Sequence, residues 1–222
     1  MTLIHYYQSS TWRQTFRMLA LGCLFSCFLI SVRLILFRDW MYLFLVWNMF
    51  LAGLPLVFAF MLRYCQEHYK GMLPAKLLLA GLWLLFFPNA PYIITDLIHL
   101  HKESNVPLWY DASIVFSSAL TGLAMGLISL YLIHQILKEN LNRWLSWFIT
   151  GLFVGLGSFG IYLGRVLRWN SWDIVTRPFQ LLQSAYETLF IPSAMAMTFV
   201  FSCMLAFVYL MFYSLIEQKF EK

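Results

Sequence analysis

The 222 residues would make one or two ordinary domains, but 61% of them are hydrophobic, 19% aromatic and only 11% charged. Soluble domains run nearer half apolar and a quarter charged, so a soluble fold of this composition could not cover its own surface. The arithmetic excludes a disordered chain, a disulfide scaffold and a soluble enzyme, and it leaves an integral membrane protein. The net charge of +5 is not a nucleic-acid signature, because the Lys and Arg residues stand at the ends of apolar runs, where they anchor and orient spans. The expected partner is the lipid bilayer, with no nucleic acid.

Stretches free of Asp, Glu, Lys and Arg locate the spans, since a helix needs about 20 residues to cross the hydrocarbon core. They cover residues 18–32, 40–62, 77–95, 112–137, 144–164 and 188–216. The last five reach crossing length alone. The first reaches it over 16–37 if Arg33 snorkels outward. It has no small-x-small cleavage pattern before Arg33 and reads as a retained signal anchor. The expected fold is all-α: one polytopic membrane domain, with six transmembrane helices over about 16–37, 41–62, 75–95, 112–137, 144–164 and 193–216. Cys23 and Cys27 share a helix face and, like Cys65 and Cys203, read as small packing groups. Asn48 and His134 are lone polar groups in apolar spans and read as interhelical hydrogen-bonding residues.

The third span contains Phe87-Pro88-Asn89-Ala90-Pro91-Tyr92. Proline lacks an amide hydrogen and disfavours helix in the residue before it. A helix starting near Ala75 should break near Phe87, about 18 Å along, with Asn89 capping the helix that resumes. This broken third helix is either a kink that redirects the chain or the lining of a binding site. Beyond it, Asp96, His99 and Glu103 stand at i, i+3 and i+7 on one face, with His101 off it. Asp96 and His99 are the candidate ligands for a divalent metal. The alternative is an aspartate that orients the imidazole without metal. The loop ends at Trp109-Tyr110-Asp111.

Gly122-x-x-x-Gly126 in the fourth span, and Gly151-x-x-x-Gly155 and Gly160-x-x-x-Gly164 in the fifth, suit close helix approach. Joined by a short loop, those two spans are expected neighbours, which would bring Asp111 near Arg165. Arg165 and Arg168 lie i, i+3 at the end of the fifth span, before Trp169-Asn170-Ser171-Trp172-Asp173. Paired guanidiniums suit carboxylate or phosphate groups. Asp111 and Asp173 are their candidate partners. Either an Arg–Asp network ties two loops together, or the loop holds an anion such as a lipid head group. After Thr176-Arg177-Pro178, apolar Phe179, Leu182, Tyr186 and Leu189 alternate with polar residues, the pattern of an amphipathic interfacial helix before the sixth span.

Even-numbered crossings place both termini on one side. That side carries nine Lys and Arg residues (13, 17, 63, 70, 76, 138, 143, 219 and 222) and the other carries six (33, 38, 102, 165, 168 and 177). The excess favours cytoplasmic termini, and more so if some of the six are buried.

The blocks Phe87-Pro88-Asn89-Ala90-Pro91-Tyr92-Ile93-Ile94-Thr95-Asp96-Leu97, Trp109-Tyr110-Asp111, and Ser158-Phe159-Gly160-Ile161-Tyr162-Leu163-Gly164-Arg165 with Arg168-Trp169-Asn170-Ser171-Trp172-Asp173 resemble the bacterial integral membrane proteins grouped as domain of unknown function 1361. The resemblance runs from the second span to the last. It implies a bacterial inner or plasma membrane location and no particular activity. From the residues themselves, Asp96, His99 and Asp111 are acid–base candidates, and Asn89, Arg165, Arg168, Asn170 and Asp173 are binding candidates. The mixture favours a membrane enzyme with an outward-facing polar site, acting on an anionic or lipid-linked substrate. A transporter or transporter subunit and a non-catalytic scaffold are the alternatives.

Overall fold

In lipid, backbone polar groups have no water to bond, so an apolar chain crosses as helix. The computed structural model describes residues 10–69, 71–100 and 106–220, with the backbone alone for Ser10, Thr11, Lys219 and Phe220. Every regular element among the described residues is helical. In chain order they are α1 (Ser10–Phe37), a 3-10 turn (Met41–Leu43), α2 (Phe44–His68), α3 (Leu73–Phe86), α4 (Asn89–Tyr92), a 3-10 helix (Ile93–His99), α5 (Leu108–Asn140), α6 (Arg143–Arg165), α7 (Asp173–Thr176), α8 (Pro178–Thr188) and α9 (Pro192–Phe220). Six segments are long and apolar enough to cross a membrane: Trp12–Phe37, Met41–His68, Leu73–His99, Leu108–Asn140, Arg143–Arg165 and Pro192–Gln218. Each contains one of the six expected spans. The chain is a multi-pass helical membrane protein.

The helices outrun the charge-free stretches because their ends tolerate polar residues. The Asn142 side chain caps α6 by accepting the Leu145 amide at 2.9 Å. Pro74 and Pro178 occupy first turns, where the missing N–H loses nothing.

Packing divides the chain into two compact units, residues 1–132 and 133–222, with the boundary inside α5. In the first unit, α1 and α5 run antiparallel along one stripe. A Cβ on Gly22 would stand 2.7 Å from Thr121 Oγ1. Ser26 donates to Ser117 at 3.0 Å, and the Tyr110 hydroxyl donates to the Leu29 carbonyl at 2.8 Å. Steps of four and three residues on α1, and of four and seven on α5, keep these contacts on one face.

The proline segment packs on the same helix. Pro88 and Pro91 cannot donate, so the Phe87 carbonyl accepts from Ala90 at 3.2 Å instead. The backbone stays right-handed helical through Pro88 and Ile93. Asn89 serves the end of α3: its Nδ2 donates to the Phe86 carbonyl at 2.9 Å, and α4 has no side-chain cap. The expected capping of the resumed helix is therefore replaced by a bond to the helix before it. Ala90 and Ile93 lie against Gly122 and Gly126 of α5. A Cβ on Gly122 would stand 2.7 Å from Ile93 Cδ1 and 3.0 Å from the Ala90 carbonyl oxygen, and one on Gly126 would stand 2.8 Å from Ala90 Cβ. These glycines thus admit the proline segment. Among the described residues nothing lies within 4 Å of a Cβ position on Gly151 or Gly155. The core of the unit joins Ile30, Tyr42, Leu45, Met49, Ala52, Ala90, Ile93, Ile114, Val115 and Ala119. In lipid this packing gains mainly dispersion energy, because the tails are as apolar as the side chains.

In the second unit α6 packs on α9, with the rings of Trp147 and Tyr213 4.9 Å apart. Hydroxyls buried along α6 bond back to their own helix: Thr150 to the Ser146 carbonyl and Ser158 to that of Val154. In α8, Thr188 is buried while Phe179, Leu182 and Tyr186 are exposed.

Candidate functional site

One group of polar residues of the first unit lies at the end where α1 stops and α5 starts. Arg33, near the end of α1, does not snorkel: its side chain is 1% exposed. Its Nε donates to Asp111 Oδ1 at 2.8 Å and its Nη2 to Asp111 Oδ2 at 3.2 Å. Asp111 lies in the first turn of α5, where the helix dipole favours an anion. Nη1 reaches Asp39 Oδ1 at 3.0 Å, and the guanidinium lies 4.7 Å from the centroid of the Tyr42 ring. A side chain paired on two edges and stacked on a face has no reason to seek the lipid head groups. That pairing corrects the outward reading of Arg33. The guanidinium, together with the Met41 amide, holds the Asp39 carboxyl below the usual carboxylate range.

Tyr42 connects this pair to the second carboxylate. Its hydroxyl donates to the His99 carbonyl at 3.1 Å. The His99 ring stands edge-on to Phe44, with centroids 5.5 Å apart. Asp96 is buried, accepts from Asn48 Nδ2 at 3.0 Å, and lies 3.9 Å from His99 Nε2. The His99 side chain is 40% exposed against 1% for Asp96. The structure thus brings Asp96, His99, Asp111 and Asn89 into one unit. It links the first three through Tyr42 and Arg33, with Asn89 at the end of α3. Asp96 and His99 sit on a 3-10 helix. Glu103 and His101 lie outside the described residues, so the i+7 relation to Glu103 lies outside them too. Among the described residues no three His, Cys, Asp or Glu side chains converge on a point. Asp96 and His99 together could supply two ligands to a divalent ion.

The second unit holds the other candidates. α6 ends at Arg165, so Arg168 is not on the same helix face. Arg168 instead adopts a left-handed backbone at φ 60°, where a side chain costs roughly 1–2 kcal/mol. Asp173 is buried and organises the loop: Oδ2 accepts the Asn170 amide at 2.9 Å, while Oδ1 accepts Thr176 at 3.1 Å and Arg177 Nη2 at 3.0 Å. The Asn170 amide, and then Arg177, hold this carboxyl below the usual carboxylate range. The partner found for Asp173 is therefore Arg177, whose guanidinium also lies 5.0 Å from the Trp169 ring centroid. Arg168 and Asn170 are exposed.

Sequence reasoning did not place Arg33, Asp39, Tyr42, Asn48 or Arg177 in these clusters. Arg33 did carry a signal, as a charge four residues inside the end of a span. So did Asn48, read as an interhelical donor, and it does bond from α2 to the 3-10 helix. Neither signal named a partner.

Neither a curated protein nor a solved structure matches the chain. The family described as protein of unknown function (DUF1361) matches residues 47–212, about three quarters of the sequence. That stretch includes Asn48, Asp96, His99, Asp111 and the Asp173 loop, and on it the chain belongs to the DUF1361 family.

Proposed function

We propose that the protein is a membrane enzyme acting on an anionic or lipid-linked substrate, with His99 as the proton-transferring group and Asp96 as its positioning partner. The supporting observation is the asymmetry of the pair. A half-exposed imidazole sits 3.9 Å from a carboxylate that is 1% exposed and fixed by Asn48. A reachable base beside a buried carboxylate is an arrangement that general acid–base chemistry can use. Asp111 belongs to the frame that fixes Tyr42 and, through it, the His99 backbone. In the second unit, and apart from that pair, Arg165, Arg168 and Asn170 are candidates for holding an anionic group, on a loop that Asp173 shapes. The site faces the outer side, with both termini in the cytoplasm of a bacterial cell. Burial of Arg33 removes it from the loop charges and changes the Lys and Arg tally to nine against five.

The test is native mass spectrometry of the protein extracted with its lipids. Wild type should carry a phosphorylated or otherwise acidic lipid that Arg165→Ala loses and that His99→Gln retains in unconverted form. Identical lipid content in all three would end this reading. A second reading, a non-catalytic scaffold, is favoured by the bidentate Arg33–Asp111 pair. On that reading Arg33→Asp with Asp111→Arg restores assembly, and His99→Gln has no effect.

A further inference from the structure

A different cluster lies in the second unit, outside the site above. His134 of α5 is fully buried, and its Nδ1 lies 2.7 Å from the Tyr209 hydroxyl of α9. Its Nε2 has no hydrogen-bond partner among the described residues. Three aromatic rings surround the imidazole, with centroids at 4.4 Å for Trp147, 5.3 Å for Tyr213 and 6.0 Å for Tyr209. One turn toward the helix ends, Lys138 donates to the Tyr213 hydroxyl at 2.9 Å and lies 3.5 Å from Glu217, which also accepts from Gln135 at 3.3 Å. The spacing is regular: 134 and 138 on α5, and 209, 213 and 217 on α9, each four apart on one face. Exposure falls along the ladder, from 35% at Glu217 and 31% at Lys138 to none at His134.

We infer that His134 is a proton-binding site, with Nε2 as the acceptor and the Glu217–Lys138 end as the side from which the proton arrives. In the tautomer whose Nδ1–H donates to Tyr209, Nε2 carries a lone pair that nothing occupies. It takes one proton from the aqueous side, the net charge rises by one, and the bond to Tyr209 survives. The aromatic rings stabilise the resulting cation through their faces, and Glu217 on α9 adds attraction. Burial opposes the charge. So does Lys138 on the same helix. Opposed terms of this kind make a site that both gains and releases its proton, and ionisable groups at membrane depth serve proton relays.

The test is nitrogen NMR of the full-length protein, histidine-labelled, in lipid nanodiscs. The chain has five histidines, and the signal absent from His134→Gln identifies the site. A variant with His5, His68, His99 and His101 all changed to Gln makes the same assignment if His134→Gln fails to fold. Lowering the pH from about 8 to about 4 should convert that one signal to the imidazolium form with the tertiary structure retained. Glu217→Gln should move the conversion to lower pH, and Lys138→Gln to higher pH, each by about one pH unit. Trp147→Leu should also move it lower. A signal that stays neutral over the whole range, or converts only as the protein unfolds, overturns the proposal. So does a conversion that none of the neighbouring variants shifts.

Discussion

Removing Arg33 tests the buried frame most directly. Arg33→Ala deletes two bonds to Asp111, at 2.8 and 3.2 Å, and the contact with Asp39 at 3.0 Å. It leaves Asp111, itself 1% exposed, without its bidentate guanidinium partner. Losing one partner of a buried pair costs about 3–5 kcal/mol, because the survivor keeps its desolvation penalty without its counter-charge. Losing the stack on Tyr42 adds about 0.5–1 kcal/mol. Asp111→Ala should lose less, because the guanidinium keeps Asp39 at 3.0 Å and its stack on Tyr42. The combined Arg33→Met, Asp111→Leu protein leaves neither buried charge of the pair, and Asp39 is 40% exposed, so it should fall within about 1 kcal/mol of wild type or exceed it. The assay is reversible unfolding in mixed micelles, followed by tryptophan fluorescence across the cycle of variants. Single-variant losses below about 1 kcal/mol, the range of exposed pairs, would refute the reasoning by showing that water reaches the pair. So would losses that simply add in the double variant.

Three further outcomes follow from the same structure. Gly122→Ala should destabilise the first unit by about 1–3 kcal/mol, because the new Cβ meets the Ala90 carbonyl oxygen at 3.0 Å. Gly151→Ala and Gly155→Ala, with open space at their Cβ positions, should be neutral or stabilise α6 by up to about 1 kcal/mol; the same unfolding assay separates them. Asn48→Ala should weaken the first unit by about 1.5–3 kcal/mol, the range for a hydrogen bond to a charged group, and should loosen His99, read as lower hydrogen-exchange protection over residues 93–99. Asp173 has its carboxyl held low in the folded protein, so its contribution is complete above the ordinary carboxylate value near about pH 4 and fades as pH falls through the lower, folded value. Exchange at the Asn170 amide should therefore accelerate in acid beyond its intrinsic rate in wild type and lose that dependence in Asp173→Asn; equal acid profiles would remove Asp173 as the organiser of the loop.

The sequence by itself determined where the chain crosses the membrane. Lipid leaves a spanning segment no choice but helix, so an uncharged stretch of sufficient length carries its own conformation, and six such stretches became six helices. It also marked the residues that composition makes anomalous: Pro88 and Pro91, Asp96 with His99, and Arg165 with Arg168. Tertiary structure decided their partners. Hydropathy records that Arg33 interrupts an apolar run, and it holds no information on which way the side chain turns. The burial of Arg33 depends on Asp111, 78 residues later, standing on the facing stripe of α5. Gly122 shows the same limit: its spacing announced a close approach, and only the packed structure showed that the visitor is the Ala90–Ile93 segment. Helix formation in lipid is a local necessity. Pairing is a property of which two faces meet, and that is settled by the packing of the whole chain.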